Sequence, residues 1–394
     1  MVTSEAPVAR VVVPIDPSRR YAPALDGLRA VAALLVIALH VGIYTGQVAS
    51  SWLGIGTGGP LGPVLSRFTV GVPIFFVLSG LLLYRPWADA ALDNRPPPSA
   101  RVYLWHRALR ILPAYWLVAI VALIAFASST HGSLWPVVQT LTLTHIYSDT
   151  GIPLGITQTW SLATEVAFYA VLPLLAVVLH RLVVQPARIL LAFAVLEIIN
   201  LGTVVLTHVP SAGPYPKLAL WLPEYLGYFA AGIALAAWSA HLARAAEPPG
   251  LAVLIGRRPW LSWGVALVAY VAVSTPLTGT TARYPTVVEA LLEHVLYLVI
   301  AVTLVLPLLF RADHGPAKLL AGRIPSALGR ISYGLFLWHM VVVEAWLRIT
   351  GQTAGHAQFW ILFPVTVVFT VAIAATSFVL VERPVRRLRG LVRA

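Results

Sequence analysis

The chain contains no cysteine among its 394 residues, which excludes disulfides, thiolate metal sites and a cysteine nucleophile. Charge is scarce too: 11% of residues are Asp, Glu, Lys or Arg, against about 25% in a soluble domain. Water is therefore not its main solvent. Lysine occurs only as Lys217 and Lys318, so the formal charge of +12 is carried almost wholly by arginine, a usage that hints at a high-GC bacterial genome. Residues 1–24 hold Arg10, Arg19, Arg20 and several prolines but no long apolar core. They do not read as a cleavable signal peptide, and the first apolar segment is expected to stay as an anchor.

What is abundant is apolar. Hydrophobic residues make up 59% of the chain and mean hydropathy is +0.83. Runs of about 20 apolar residues recur, the length a helix needs to cross a hydrocarbon core of about 30 Å. Spans are expected near 25–45, 68–84, 112–128, 160–180, 187–207, 219–238, 259–274, 285–310, 328–348 and 359–381. The fold class is thus an all-α polytopic membrane protein of about ten helices. The 134–147 stretch is apolar but too short to span, and reads as re-entrant or interfacial.

Numbering the loops between these spans in order, the termini and even loops carry 22 basic residues, and the odd loops only Arg67, Lys217 and Arg283. By the positive-inside rule this puts both termini in the cytoplasm and favours an even number of spans. The net charge is then mostly topological, and no nucleic-acid partner is expected. No internal repeat suggests an inverted-repeat transporter. The expected organisation is a cytoplasmic tail at 1–24, a transmembrane domain at 25–381 and a basic cytoplasmic tail at 382–394, with no room for a separate soluble domain.

Ionisable groups inside spans are costly and mark candidate functional positions. In the first span Arg29 and His40 are 11 residues apart, hence about 20° apart around the helix and about 16 Å along it. Arg29 reads as a snorkelling anchor or a cofactor contact, His40 as a packing residue or a base. In the fourth span Glu165 is expected about one turn below the outer surface, at a depth like that of His40. There it would either orient the imidazole or pair structurally. Arg107 and Arg110, an i, i+3 pair at the inner mouth of the third span, could grip phosphates or face anionic lipid. Ser79 and Gly80 suit close helix packing. His339 falls mid-membrane, as a cavity-lining or structural group. Glu197, Glu224, Glu289, Glu293, His294 and Glu344 imply a polar, partly hydrated interior.

Taken in order, LDGLRAVAALLVIALH, GVPIFFVLSGLLLY, YLWHRALRILPAYW, WSLATEVAFY, ISYGLFLWH and ERPVRRL resemble the acyltransferase family 3 membrane proteins, the group that includes O-antigen and macrolide acylases. The likeness runs from about Leu25 to Arg387. It implies a ten-helix enzyme moving an acyl group from cytoplasmic acyl-CoA to a hydroxyl. The family's arginine–ten residues–histidine motif matches Arg29 and His40, implying that His40 is the base. Its paired arginines match Arg107 and Arg110 for the CoA side, and its WSLxxE segment matches Trp160, Ser161, Leu162 and Glu165. Pro73 departs from the pattern, which often has an acidic residue there. No SGNH esterase-like domain is expected at the C-terminus.

The function expected is that of a multi-pass O-acyltransferase of the bacterial inner membrane, with acyl-CoA (acetyl-CoA by default) as donor, a glycan, glycolipid or glycosylated natural product as acceptor, and no metal. Expected catalytic residues are His40 and Glu165, and Arg29, Arg107 and Arg110 would bind the donor. Ser79, Trp160, Ser161 and His339 would line the cavity. Direct transfer and an acyl-histidine intermediate both remain open. The competing classes are a proton-coupled transporter or flippase, which would not consume acyl-CoA, and a non-catalytic partner subunit, which would tolerate loss of His40.

Overall fold

The computed structural model describes residues 23–392 apart from 51–52, 57, 127–133, 149–150, 281–282 and 311–314. Of the tail expected at 1–24, residues 1–22 lie outside the described residues, and Pro23 and Ala24 belong to the first helix. The longer helices are α1 (Pro23–Tyr44), α2 (Gly71–Leu92), α3 (Ala100–Ala125), α4 (Trp135–Leu141), α5 (Trp160–Leu179), α6 (Pro186–His208), α7 (Leu226–Leu242), α8 (Gly250–Arg257), α9 (Pro259–Val273), α10 (Val287–Val305), α11 (Arg323–Arg330), α12 (Ser332–Thr350) and α13 (Phe359–Ser377). Each of the ten expected spans falls on one of them.

Among the described residues, seven helices are long and apolar enough to cross a membrane, and nine segments qualify if each sharply bent pair is one span. The bent pairs are α8–α9, broken by 82°, and α11–α12, broken by 72°. The span expected at 328–348 therefore begins at Ser332, and α11 turns away from it. Helix α7 has 17 residues and is led in by a 3₁₀ turn at Leu222–Tyr225, so the span expected to start at 219 begins a turn or more later. The 134–147 stretch holds only the seven-residue α4 and a 3₁₀ turn. It is held against α3 by Trp116 Nε1 donating to the Leu141 carbonyl at 2.9 Å.

The most buried helices are α1, α2, α7 and α12. Their close approach depends on small residues, because lipid tails supply no hydrophobic drive between helices and packing must do the work. A Cβ on Gly80 would collide with the Phe229 carbonyl, and one on Gly232 with the Val77 carbonyl. At this crossing the α2 and α7 backbones touch. Beside it Phe229 stacks on Phe76 at 4.4 Å and on Phe168 at 4.0 Å between ring centroids, which draws α5 into the same knot.

Polar contacts fix which helix ends lie together. At the ends of α2 and α7, Arg244 meets Asp89 and Asp93 at 2.8 and 2.7 Å, and the Arg95 and Arg244 guanidiniums hold the Asp93 carboxyl below its ordinary range. Arg67, before α2, pairs with Glu293 near the start of α10 and donates to the Gly279 carbonyl at 2.6 Å. Ser262 near the start of α9 reaches the Thr303 carbonyl at the end of α10 at 2.8 Å. These contacts agree with the alternation of basic and non-basic loops.

The C-terminal stretch departs from the expected tail. The last helix runs on through a π-helical turn at Phe378–Glu382 into a 3₁₀ segment at Arg386–Leu391, and Trp105 of α3 donates to its Leu388 carbonyl at 3.1 Å. Residues 382–391 are thus helical structure joined to α3 by this hydrogen bond, with Leu388 and Leu391 exposed.

Two outcomes follow from this architecture. Replacing Gly80 by Leu should lower thermal stability by about 1–3 kcal/mol or more, the cost of overpacking a close contact, read as an earlier melt in detergent; an unchanged melt would mean the crossing is looser than described. Since the chain has no cysteine of its own, single cysteines at the exposed Ala100 and Leu277 report topology directly. A membrane-impermeant maleimide should label Leu277→Cys in intact cells and Ala100→Cys only after permeabilisation, with the reverse pattern inverting the orientation.

Candidate active site

At the basic end, α1, α2, α3, α5 and α12 enclose a cavity of about 220 Å³. Arg29 enters it from α1, Arg107 and Arg110 from α3, Ser79 from α2, Ser161 and Glu165 from α5. Arg107 and Arg110 project together because residues three apart share a helix face. The Arg29 Nε donates to Ser332 Oγ at 3.3 Å, and its guanidinium lies 5.6 Å from the Phe75 ring centroid. Among the described residues none of these three arginines is in a salt bridge. The Arg107 Nε is buried with no hydrogen-bond partner, an expensive state for a charged donor.

Of the two acidic side chains in this cavity, Glu165 lies on α5. Its Oε1 accepts from Tyr169 Oη at 2.7 Å and from Ser79 Oγ. The hydroxyls come from i+4 on its own helix and from the residue next to Gly80, so the α2–α7 crossing also places the Ser79 hydroxyl. Asp26, one turn before Arg29, lines the cavity as well.

His40 lies elsewhere. It is half-buried, and its Nδ1 is 2.8 Å from the Val36 carbonyl. A carbonyl only accepts, so Nδ1 carries the proton and Nε2 keeps its lone pair. The neighbour of His40 is His339 on α12, fully buried, whose Nε2 is 3.4 Å from His40 Nδ1 and whose own Nδ1 is 3.2 Å from the Leu335 carbonyl. One turn further along the same seam, Tyr44 donates to Glu344 at 2.6 Å, which sets the register of α1 on α12.

The expected pairing of His40 with Glu165 is therefore not formed. Glu165 hydrogen-bonds inside the arginine cavity, nearer the basic end than its sequence position suggested, and His339 takes the place beside His40. Of the residues expected to line one cavity, Ser79 and Ser161 do so together with Arg29, Arg107, Arg110 and Glu165. Trp160 instead borders a second cavity toward the opposite end. His339 borders neither; it sits behind Phe336, a wall residue of the first cavity, with 6.2 Å between ring centroids.

Three participants escaped the sequence reading. Gln158, just before α5, donates to the Leu337 carbonyl at 2.8 Å and the Phe336 carbonyl at 3.3 Å, tying the Trp160–Glu165 turn to α12 beside His339. Tyr169 and Asp26 were legible only as i+4 and i−3 neighbours of Glu165 and Arg29. A part-buried His–His contact has no local sequence signal, since the partners are 299 residues apart.

A family profile described as an acyltransferase domain matches residues 23–379. The chain is 23% identical over 388 residues to the peptidoglycan O-acetyltransferase OatA of Listeria monocytogenes, covering 94% of this chain and 56% of that protein. It is 26% identical over 345 residues to nodulation protein 10 of Rhizobium leguminosarum, covering 81% and 82%. It is 25% identical over 392 residues to the putative peptidoglycan O-acetyltransferase YrhL of Bacillus subtilis, covering 93% and 55%. The chain thus spans little more than half the length of two of these three relatives. No solved structure matches it.

Substitution at Glu165 separates its hydrogen bonds from its charge. Glu165→Gln keeps an acceptor for Ser79 and Tyr169 and should melt like the parent. Glu165→Leu leaves both hydroxyls buried without a partner and should lose about 1–3 kcal/mol. Equal melting of the two variants would show that these hydrogen bonds do not hold α2 to α5.

Proposed function

The chain belongs to this acyltransferase family, and on that premise we propose that it is a membrane-embedded O-acyltransferase taking an acyl group from cytoplasmic acyl-CoA to an acceptor hydroxyl. The observation that carries the proposal is the convergence of Arg29, Arg107 and Arg110 on one cavity at the basic end, without a salt bridge among the described residues. Guanidiniums gathered in a low-dielectric site repel one another, and phosphate oxygens supply both the charge and the acceptors they need. The positive-inside rule puts this mouth in the cytoplasm, where acyl-CoA is made. Arg386 and Arg389 of the packed C-terminal segment add positive charge on the side of Arg107 and Arg110.

His40 is the proposed base. Its free Nε2 removes the proton of the acceptor hydroxyl, the oxygen attacks the thioester carbonyl, the C–S bond breaks, and the proton passes to the departing thiolate. His339 positions it: once His40 is protonated, its Nδ1–H is shared with the bare Nε2 of His339, which spreads the charge and keeps the ring oriented. Arg29 and His40 are about 16 Å apart along α1, a span that the extended pantetheine arm largely covers. Glu165 is assigned to the donor side, moderating the charge of the arginines and holding Ser79.

The names of the relatives favour acetyl as the acyl group and a cell-envelope glycan as the acceptor, in a bacterial inner membrane. The bland reading of the arginines as lipid anchors fits less well, because Arg107 is turned into the bundle with its Nε buried.

The test uses the full chain in nanodiscs with radiolabelled acetyl-CoA and a pool of envelope glycans. His40→Ala should lower kcat by about 10²–10⁴-fold, the usual contribution of a general base, with little change in KM for acetyl-CoA. Arg107→Ala should instead raise that KM about tenfold or more, the loss of one charge-assisted contact. Absence of both acetyl-CoA turnover and acetyl-CoA binding would sink the proposal in favour of transport.

A further inference from the structure

Toward the opposite end of the bundle, between α2, α5, α6, α7 and α10, lies a second cavity of about 330 Å³ that the catalytic residues do not use. It differs from the first in its basic residues. None of its described lining residues is Lys or Arg, whereas aromatic side chains crowd it, among them Trp160, Tyr225, Tyr228 and Tyr284. Two carboxylates, Glu224 and Glu293, reach it. We propose that this cavity is the binding site for the acceptor, and that it takes a neutral, polyhydroxylated saccharide ring. The role as acceptor site rests on the acyltransferase reading above; the ligand class rests on the cavity alone.

The charges argue against an ionic ligand. Glu293 is already neutralised by Arg67, and both oxygens of Glu224 are within 3.3 Å of Thr207 Oγ1, as acceptors. An anion would meet only Arg67, whose charge Glu293 already balances, and a cation would find only Glu224, which already accepts from Thr207. A sugar needs neither. Its ring presents C–H groups to aromatic faces, which are electron-rich, and its hydroxyls need both donors and acceptors.

Both are present and positioned. Tyr297, 3% exposed, brings to the cavity a hydroxyl that is buried and has no hydrogen-bond partner; leaving it so is costly, and a ligand hydroxyl would satisfy it. The carboxylate of Glu224 retains free lone pairs. Near the rim, Tyr284 lies parallel to His208, with 4.9 Å between centroids and 9° between planes, and Tyr215 packs edge-on against it at 5.0 Å. The walls are held from behind by His294, whose Nε2 meets Glu197 at 2.7 Å. This is a built pocket of aromatic faces with a few convergent polar groups, the usual form of a small-molecule site.

Its position suits an acceptor. Val72 borders both cavities. Between them stand Phe76, Tyr225 and Trp160, with centroids 5.5 Å apart for Phe76–Tyr225 and 5.3 Å for Trp160–Tyr225. Adjacent residues of α5 face opposite ways, Trp160 toward this cavity and Ser161 toward the arginines. A saccharide seated here is one side-chain layer from the donor compartment.

The test is saturation-transfer NMR on the full chain in sugar-free nanodiscs. Maltotriose and diacetylchitobiose serve as neutral probes, choline as the cationic probe and gluconate as the anionic one. At least one neutral saccharide should bind, and its affinity should fall at least tenfold in Tyr284→Ala, and also in Glu224→Gln should Tyr284→Ala fold poorly. Acetyl-CoA binding should be unchanged in both. Binding of choline or gluconate but neither saccharide overturns the ligand class, and saccharide binding indifferent to both substitutions overturns the site. In turnover assays the same variants should raise KM for a saccharide acceptor without raising KM for acetyl-CoA; the opposite pattern overturns the acceptor role. Saccharide binding in a protein that neither binds nor consumes acetyl-CoA would support this cavity while sinking the acyltransferase reading, so the two failures are distinct.

Discussion

The backbone-to-backbone crossing of α2 and α7 at Gly80 and Gly232 governs the interior. Because neither position carries a Cβ, the helices approach closely enough for Phe229 to stack on both Phe76 and Phe168, and α5 is drawn in with them. That brings Glu165 within reach of Ser79, and it places Phe76 against Tyr225. Both cavities share this seam: the arginine cavity lies on one side of it and the aromatic cavity on the other. Bulk at either glycine would spread three helices at once, so the crossing sets the geometry of both compartments.

Helical class and element order were legible in the sequence because apolar runs of membrane length have few other interpretations, whereas seven to nine segments, against the ten expected, are long and apolar enough to span among the described residues. The charge alternation was legible because most arginines lie near helix ends, where water is available, although Arg29, Arg85 and Arg107 are drawn into the bundle. Less was legible where helices bend or meet. The 72° break before Ser332 has no strong marker, the chain there reading simply as a weak apolar start. The pairing of Glu165 was misjudged because depth was inferred from position along the span, and packing then drew the carboxylate to Ser79, Tyr169 and the arginines. What stands beside His40 is decided by how α12 docks on α1, a contact between residues 40 and 339 that no spacing rule anticipates.

The two compartments divide the electrostatic work. Charge that would be costly in hydrocarbon is gathered in the cavity at the basic end, or paired, as in Arg67–Glu293 and His294–Glu197. The histidines stand apart from both clusters, with His40 Nε2 free of any hydrogen bond. An imidazole so placed is not tied up by a permanent counter-ion.

The aromatic layer of Phe76, Tyr225 and Trp160 has a consequence of another kind. With water in both cavities, the membrane voltage would no longer fall evenly across about 30 Å of hydrocarbon. It would fall mainly across this thin septum, as it does at the constriction of a voltage-sensing protein. A unit charge carried through the whole field gains or loses about 2.3 kcal/mol per 100 mV, so any step that shifts a proton or a thiolate across this layer couples to the energised state of the cell. The same rings that stand between the two cavities also keep them from joining into one continuous water-filled path.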